Sequence, residues 1–260
     1  MDNSEQWQNL GQELELLLCL RTFPVAVKML SRASDIPAKA FRPLRDSGRR
    51  LDACQALALS RREGRTVSML KEDNWCPAPV AGYGLADPTD FYLDGFQQVG
   101  HFSSLEASRK WCQTLPRFEL NRYVGLVSAP LTSASFAPDV VLLWVDSAQL
   151  CILTLAHNWT YGRDVISRLS ARAACIFEIV PAMQTKEFQV AVPCLGERRR
   201  AGTTDHEMVF CLPGDRGEEF VASLKLMREK GYRFPIPVKT AVEWERRPEY
   251  EEWSRLLGLD

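Results

Sequence analysis

The chain has 260 residues, and its 32 Lys and Arg residues nearly balance its 33 Asp and Glu residues, which leaves a net charge of −1. Hydrophobic residues make up 46% and charged residues 25%, which are the proportions of an ordinary globular protein and exclude a disordered or collagen-like one. The balanced charge gives no overall field that would favour nucleic acid or an anionic membrane as a partner.

Apolar periodicity predicts an alternation of helices and strands along the chain. The predicted helices cover residues 4–20, 51–62, 105–112, 148–159, 165–182, 218–230 and 248–257. The predicted strands cover residues 24–30, 66–70, 123–128, 139–145, 188–192 and 208–212. In the last helix, Trp253, Leu256 and Leu257 form the apolar side, which we expect to be buried.

Two further segments lack this periodicity. Residues 31–50 predict an exposed connection or a short irregular helix, since they hold two prolines and several arginines. Residues 74–102 are rich in Gly, Pro, Asp and aromatic residues, and a loop of this length is more often functional than a simple connector.

No apolar run approaches the roughly 20 residues that cross a bilayer. Residues 1–5 also lack the positive charge that begins a signal peptide. We therefore expect a cytoplasmic protein without a membrane partner, whose eight cysteines are thiols and not a disulfide framework.

The two halves of the chain share one order of elements. A strand, a helix with Cys54, a second strand and Cys76 in a turn are followed later by a strand, helical segments ending with Cys175, a strand and Cys194. The order predicts a single α/β domain over 1–260, built of two half-repeats at about 20–118 and 119–230. We expect mixed sheets, covering helices and terminal helices at both ends.

Such a repeat would bring four thiols to one interface. Converging thiolates suit an iron–sulfur cluster, of the [4Fe–4S] kind, or zinc as the alternative. Structural zinc usually takes closely spaced cysteine pairs, and the sequence has none. Cys54 and Cys175 lie among aliphatic residues, where filling the core explains them equally well. Cys76 and Cys194 stand in turns beside proline, which favours a ligand or a reactive thiol.

The remaining cysteines lie within apolar segments and have no matching partners, so we expect them to fill the core. They are Cys19, Cys112, Cys151 and Cys211.

The same residues resemble the family known as domain of unknown function 169. The matching positions are 24–28, Cys54, Cys76 with the glycines after it, 138–141, Cys175, 193–198 and 205–208. The resemblance extends from about residue 10 to about residue 230, and it implies a cytoplasmic prokaryotic α/β protein whose four motif cysteines are Cys54, Cys76, Cys175 and Cys194. The chain departs from the pattern at Glu197, where we expect Asp, and at an inserted His206.

Three polar residues near these motifs are candidates for catalysis. Lys28 interrupts an apolar strand and could meet an anion; a strand with one solvated face explains it equally well. Arg198 follows the Cys194 turn and could clamp a carboxylate or phosphate, although a run of three arginines usually forms a solvated surface. Glu207 could act as an acid or a base. His101 and His157 lack metal-ligand spacing and are interpreted as structural.

Together these features predict an iron–sulfur protein, either a redox or a lyase-type enzyme, that acts on a small anionic molecule. Its partners would be that ligand or an electron-transfer protein, and we also expect a homo-oligomer. The alternative is a non-catalytic protein that binds zinc or a small ligand.

Overall fold

The computed structural model describes residues 3–96, 100–237, 240–242 and 248–259. Its helices are α1 (Asn3–Leu18), α2 (Pro43–Ser47), α3 (Ala53–Glu63), α4 (Pro77–Gly82), α5 (Asp90–Leu93), α6 (Leu105–Gln113), α7 (Ser147–Tyr161), α8 (Ala174–Thr185), α9 (Leu195–Arg200), α10 (Gly217–Glu229) and α11 (Pro248–Leu256). Its strands are β1 (Val25–Leu30), β2 (Val67–Leu70), β3 (Gly125–Pro130), β4 (Val140–Val145), β5 (Gln189–Ala191) and β6 (Met208–Pro213).

Within these residues, the six strands form one sheet in the order β2-β3-β1-β4-β6-β5. Every neighbouring pair is antiparallel, and the central pair, β1 and β4, places Ala26 opposite Val141. The α/β class is therefore confirmed. The expected mixed sheets are replaced by a single antiparallel one.

The strands on the two sides of the central pair are arranged in the same sequential order. From β1 the sheet continues to β3 and β2, and from β4 it continues to β6 and β5. The β1–β3 half and the β4–β6 half of the sheet thus each place their strands in the order first, third, second, and they divide after β3, later in the chain than the predicted boundary at residues 118 and 119. A duplication of one unit would give this arrangement, and the half-repeat and the single-domain boundaries stay predictions.

Both faces of the sheet are covered, as the continuous apolar sequence of β4 requires. Val140, Leu142 and Trp144 point to one face, which we call the cavity face. Val141 and Leu143 point to the other, which we call the aromatic face. Alternate strand residues point to opposite sides of a sheet, so one strand contributes to two separate cores.

Helices α3, α4 and α8 cover the cavity face, whereas α1, α7 and α10 cover the aromatic face. Phe220 of α10 is fully buried there, with ring centroids 4.9 Å from Phe188 and 5.6 Å from Phe210. The three aromatic rings form the centre of a densely packed core.

The helix ends follow from local side-chain chemistry. Asp146 caps α7, because its carboxylate accepts hydrogen bonds from the backbone N–H groups of Ala148 and Gln149 at 3.0 and 2.9 Å. The same helix ends at Gly162, whose φ of 62° lies in the left-handed region that glycine adopts without strain.

Two predicted helices differ from the structure. The predicted helix 165–182 is helical only from Ala174 onward, because Ala173 has a φ of 51° and breaks the regular backbone before α8. The prediction that the apolar side of the last helix is buried is wrong. Trp253 and Leu256 on α11, and Leu257 directly after it, are all exposed. The predicted functional loop contains α4 and α5.

No helix in the described part of the chain has the length and apolar character needed to cross a membrane.

A cavity lined by four cysteines

The four cysteines selected from the sequence line one cavity of about 340 Å³ on the cavity face. Cys54 and Cys175 are buried, with 7% and 6% of their surface exposed, whereas Cys76 and Cys194 are partly exposed. The two cysteines of the first half of the sequence therefore meet the two of the second half, as the sequence analysis expects.

Each of these cysteines stands at the beginning of a helix. Cys54 and Cys175 are the second residues of α3 and α8, and Cys76 and Cys194 are the N-caps of α4 and α9. The backbone N–H of Glu197 donates to the Cys194 sulfur at 3.4 Å. Because the first N–H groups of a helix carry partial positive charge, these positions favour negatively charged sulfur.

A buried carboxylate fixes the turn that carries Cys76. Asp73 is fully buried, and it accepts hydrogen bonds from the backbone N–H groups of Leu70 at 2.8 Å and Leu44 at 3.1 Å. It also forms an ion pair with Arg42 at 2.7 Å. These contacts hold the segment after β2 in one place, so the position of Cys76 is set by the fold and not by a loose loop.

Burial opposes ionisation of the cavity thiols. It raises the pKa of Cys76 to about 11, although the Ala78 N–H and the charge of Arg200 act in the opposite direction. Burial also raises the pKa of Cys54 and Cys175, and nearby negative charge raises it further, first that of Glu197 at Cys54 and that of Cys54 at Cys175. At these three positions the neutral thiol is thus the stable form until a cation or a metal centre compensates the charge.

Cationic and aromatic side chains surround the cavity. Arg172, Arg199 and Arg200 line it, and Arg200 forms an ion pair with the buried Asp52 at 2.6 Å. His101 also lines it, so this histidine belongs to the cavity wall and was missed as a site residue. The positive charge of these arginines favours binding of an anionic ligand in the cavity.

Two buried carboxyl groups lie behind the cysteines. Glu178 has no exposed surface and Glu197 has 1%. One oxygen of Glu197 accepts hydrogen bonds from the Trp144 indole N–H at 2.8 Å and the Thr203 hydroxyl at 2.9 Å. Burial, and next the charge of Glu197, raises the pKa of Glu178 well above its usual range. Glu178 is therefore held in its protonated form.

Sequence analysis missed these two glutamates, because nothing in a sequence shows that a carboxylate is buried. One signal was present: Glu178 and Glu197 each stand three residues after a cavity cysteine, Cys175 and Cys194, on a helix. Residues three apart share one face of a helix.

The three predicted catalytic residues do not line the cavity. Lys28 has the same parity in β1 as Ala26, which packs into the aromatic face, so it points away from the thiols. Arg198 donates to the carbonyl oxygens of Thr204 and, at 3.3 Å, Glu207.

Glu207 itself forms an ion pair with Arg61 at 2.9 Å, and Arg61 has only 1% of its surface exposed. Burial tends to raise the pKa of Glu207, but the hydrogen bonds from Arg61 and the Thr204 N–H outweigh it and lower that pKa. Glu207 is thus a charged structural partner of Arg61, with no proton to donate at neutral pH.

All eight cysteines are free thiols. Among the four assigned to the core, Cys112 and Cys211 are buried as predicted, whereas Cys19 and Cys151 are exposed, which corrects that prediction. Cys19 has a φ of 49° directly after α1, and Cys151 lies on the solvent side of α7, where helix periodicity turns it away from the core. In the described part of the chain, no group of three or more His, Cys, Asp or Glu side chains is arranged so that it could hold a metal ion.

Comparisons with known proteins agree with the motif pattern. A family model described as "Uncharacterised ArCR" matches residues 13–223. An uncharacterised protein of Methanocaldococcus jannaschii is 23% identical over 233 residues, which covers 88% of this chain and 97% of that relative. No solved structure matches.

Proposed function

The chain belongs to the DUF169 family, and from that premise we propose that it is an iron–sulfur protein whose cluster, of the [4Fe–4S] kind, is held by Cys54, Cys76, Cys175 and Cys194. The observation that carries the proposal is the meeting of these four thiols at one cavity. Cysteine thiolates are the usual ligands of such clusters.

The fit lies in the donor set and its surroundings. A cluster contains several iron atoms that each take one thiolate, which suits thiols distributed around the wall of a cavity. The helix starts beneath the sulfurs and the arginines at the rim supply positive charge for an anionic centre. The thiols do not stand in a preformed coordination geometry, so loading would require their side chains to turn toward a common centre.

When bound, such a cluster supplies electron transfer, or Lewis-acid chemistry if one iron lacks a protein ligand. The residues of the chain would bind and orient a small anionic substrate. Arg172 and Arg199 lie at the cavity, and a guanidinium fork matches carboxylate and phosphate geometry. Cys76 and Cys194 are partly exposed, which supports an approach of substrate or an electron-transfer partner from their side of the cavity. We therefore propose a redox or lyase-type enzyme.

We extend the proposal to a cytoplasmic location. Eight free thiols, two of them exposed and two partly exposed, are characteristic of a reducing compartment. There the cavity cysteines stay available as ligands.

Anaerobic purification followed by iron and acid-labile sulfide analysis tests the proposal. We expect about four iron and four sulfide per chain, the composition of the cluster type, and visible absorption that dithionite bleaches. A colourless protein with one zinc per chain would contradict it, and would favour a non-catalytic zinc protein. A colourless protein without metal would favour a small-ligand-binding protein instead.

A further inference from the structure

A second concave region lies beside the cysteine cavity. It is a groove of about 650 Å³ whose walls include Arg49, Arg50 and Trp75. Asp52 and Arg200 line both the groove and the cavity. The two regions are therefore adjacent, and a single extended molecule could occupy both. Cavities of this size accommodate small organic molecules.

Backbone hydrogen bonds hold the walls of the groove together. The Leu51 N–H donates to the Asp73 carbonyl at 3.0 Å, and the Trp75 N–H donates to the Leu51 carbonyl at 2.8 Å. The chain that carries Arg49, Arg50 and Asp52 is thus tied to the chain that carries Trp75 and Cys76. The backbone of the two groove walls is therefore held in a fixed relation by the fold.

The chemistry of the groove is specific in two respects. Trp75 has 72% of its surface exposed, although tryptophan usually buries its large apolar ring. Arg49 and Arg50 are exposed and, within the described residues, form no ion pair or hydrogen bond. An exposed aromatic side chain can stack on a planar ring, and unpaired arginines beside it can bind negatively charged groups attached to that ring.

We propose that this groove binds a nucleotide-like molecule, in which a planar ring stacks on Trp75 and phosphate groups meet Arg49 and Arg50. Past Arg200, the other end of the molecule would reach the cavity cysteines. The inference deepens the proposed function by naming the class of its anionic substrate or co-substrate, and it rests on that function only for what happens at the thiols. No covalent step is required for binding.

Isothermal titration of the anaerobically purified protein tests this. The probes are ADP, GDP and FMN, with adenosine as a ring without charge and pyrophosphate as charge without a ring. We expect at least one of the three nucleotides to bind more tightly than either fragment, and to bind more weakly at high salt because the contacts are charged. Replacing both arginines, R49Q/R50Q, should weaken binding at least about tenfold. Trp75→Leu should also weaken it.

Matched controls separate the groove from general surface effects. Trp159 is another exposed tryptophan, 51% exposed on α7, and Arg228 is an exposed arginine on α10. Trp159→Leu and Arg228→Gln should leave nucleotide binding unchanged. The inference is overturned if none of the three nucleotides binds, if R49Q/R50Q binds them as the native protein does, or if pyrophosphate binds as tightly as the best nucleotide. Failure of all nucleotides would direct attention to an acidic protein partner for this surface.

Iron and sulfide content distinguishes failure of this inference from failure of the proposed function. Arg49 and Arg50 line the groove and are not among the residues that line the cysteine cavity, so R49Q/R50Q should carry the same iron as the native protein. A protein that contains the expected iron and sulfide but binds no nucleotide contradicts only the proposed nucleotide binding in the groove. A protein without iron that still binds nucleotide at Trp75 overturns the cluster alone.

Discussion

On the aromatic face of the sheet, α1, α7 and α10 cover a layer of apolar side chains centred on Phe188, Phe210 and Phe220. On the cavity face, the first turns of four helices surround an opening of about 340 Å³ that four thiols line. The same strands build both faces. Both faces thus carry a buried apolar core, and the cavity face combines its core with a space lined by thiols.

One buried polar group lies behind the cavity. Within the described residues, neither carboxyl oxygen of Glu178 has a hydrogen-bond partner. An arrangement of this kind lowers stability, because desolvating a carboxyl group costs free energy that no partner returns in full. Such groups are concentrated at functional sites, where their effect on neighbouring charge is useful.

The largest expected change in stability comes from a substitution in the core of the aromatic face. Phe220→Ala should lower the free energy of unfolding by about 4 kcal/mol, because it removes a fully buried ring and leaves a cavity among its neighbours. Urea unfolding followed by circular dichroism measures the change. Trp253→Ala, at an exposed position on α11, is the control and should change stability by less than about 0.5 kcal/mol. A loss below about 1 kcal/mol for Phe220→Ala would show that the core is not packed as described.

The next effect concerns the buried ion pair at the edge of the cavity face. Glu207→Gln should lower the free energy of unfolding by about 3 kcal/mol at neutral pH, because it leaves the guanidinium of Arg61 buried without its partner. The pKa of Glu207 is lower in the folded state than in the unfolded state. Its stabilisation is therefore complete above the unfolded pKa and is lost as pH falls through the folded one.

The difference between the native protein and Glu207→Gln should accordingly shrink in acid. Glu187→Gln provides the control, because its ion pair with Arg163 is more exposed and contributes less than about 1 kcal/mol. A difference that stays constant down to strongly acidic pH would exclude the charge of Glu207 as its cause.

A smaller change in the free energy of unfolding, of opposite sign, tests whether the buried carboxyl group behind the cavity lowers the stability of the protein. Glu178→Leu should raise the free energy of unfolding of the metal-free protein by about 1 kcal/mol, since an apolar side chain suits its buried position better than an unsatisfied carboxyl group. The pKa of Glu178 is raised in the folded state, so the native protein loses stability as pH rises above the unfolded pKa.

The gain from Glu178→Leu should therefore be larger at neutral pH than near pH 4. Glu178→Gln, which keeps the shape and removes the titration, should lose the pH dependence as well. A Leu variant that is less stable than the native protein at both pH values would mean that the carboxyl group is satisfied in the fold.

Local sequence features predicted the elements whose signal is itself local. Residues 140–145 form a strand because all six are apolar and β-branched or large, and α7 begins where Asp146 caps it. The repeated order of strand, helix and turn led sequence analysis to select Cys54, Cys76, Cys175 and Cys194, and all four line one cavity. The repeat itself and the role of these cysteines as ligands stay predictions.

What sequence reasoning missed depends on tertiary contacts. The sequence does not show toward which face of the sheet Lys28 points. Only the packing of Ala26 on the aromatic face shows that Lys28 points away from the thiols. Sequence analysis interpreted Glu207 as a possible acid or base, because only the fold shows that it is paired with the buried Arg61. Arg49 and Arg50 read as an irregular exposed segment, and their relation to Trp75 exists only because backbone hydrogen bonds join two segments distant in sequence.

The central claim is that the four cavity cysteines, and not the other four, hold an iron–sulfur cluster. Iron and sulfide per chain should be measured in anaerobically purified Cys76→Ser and Cys194→Ser beside two controls. Cys211→Ala changes a buried thiol on the same face outside the cavity, and Cys151→Ser changes an exposed one. We predict that the first two lose the cluster, because serine oxygen is a poor ligand for iron–sulfur centres, and that both controls keep it. Full iron content in Cys76→Ser and Cys194→Ser, or loss in Cys211→Ala with an intact fold, would contradict the claim.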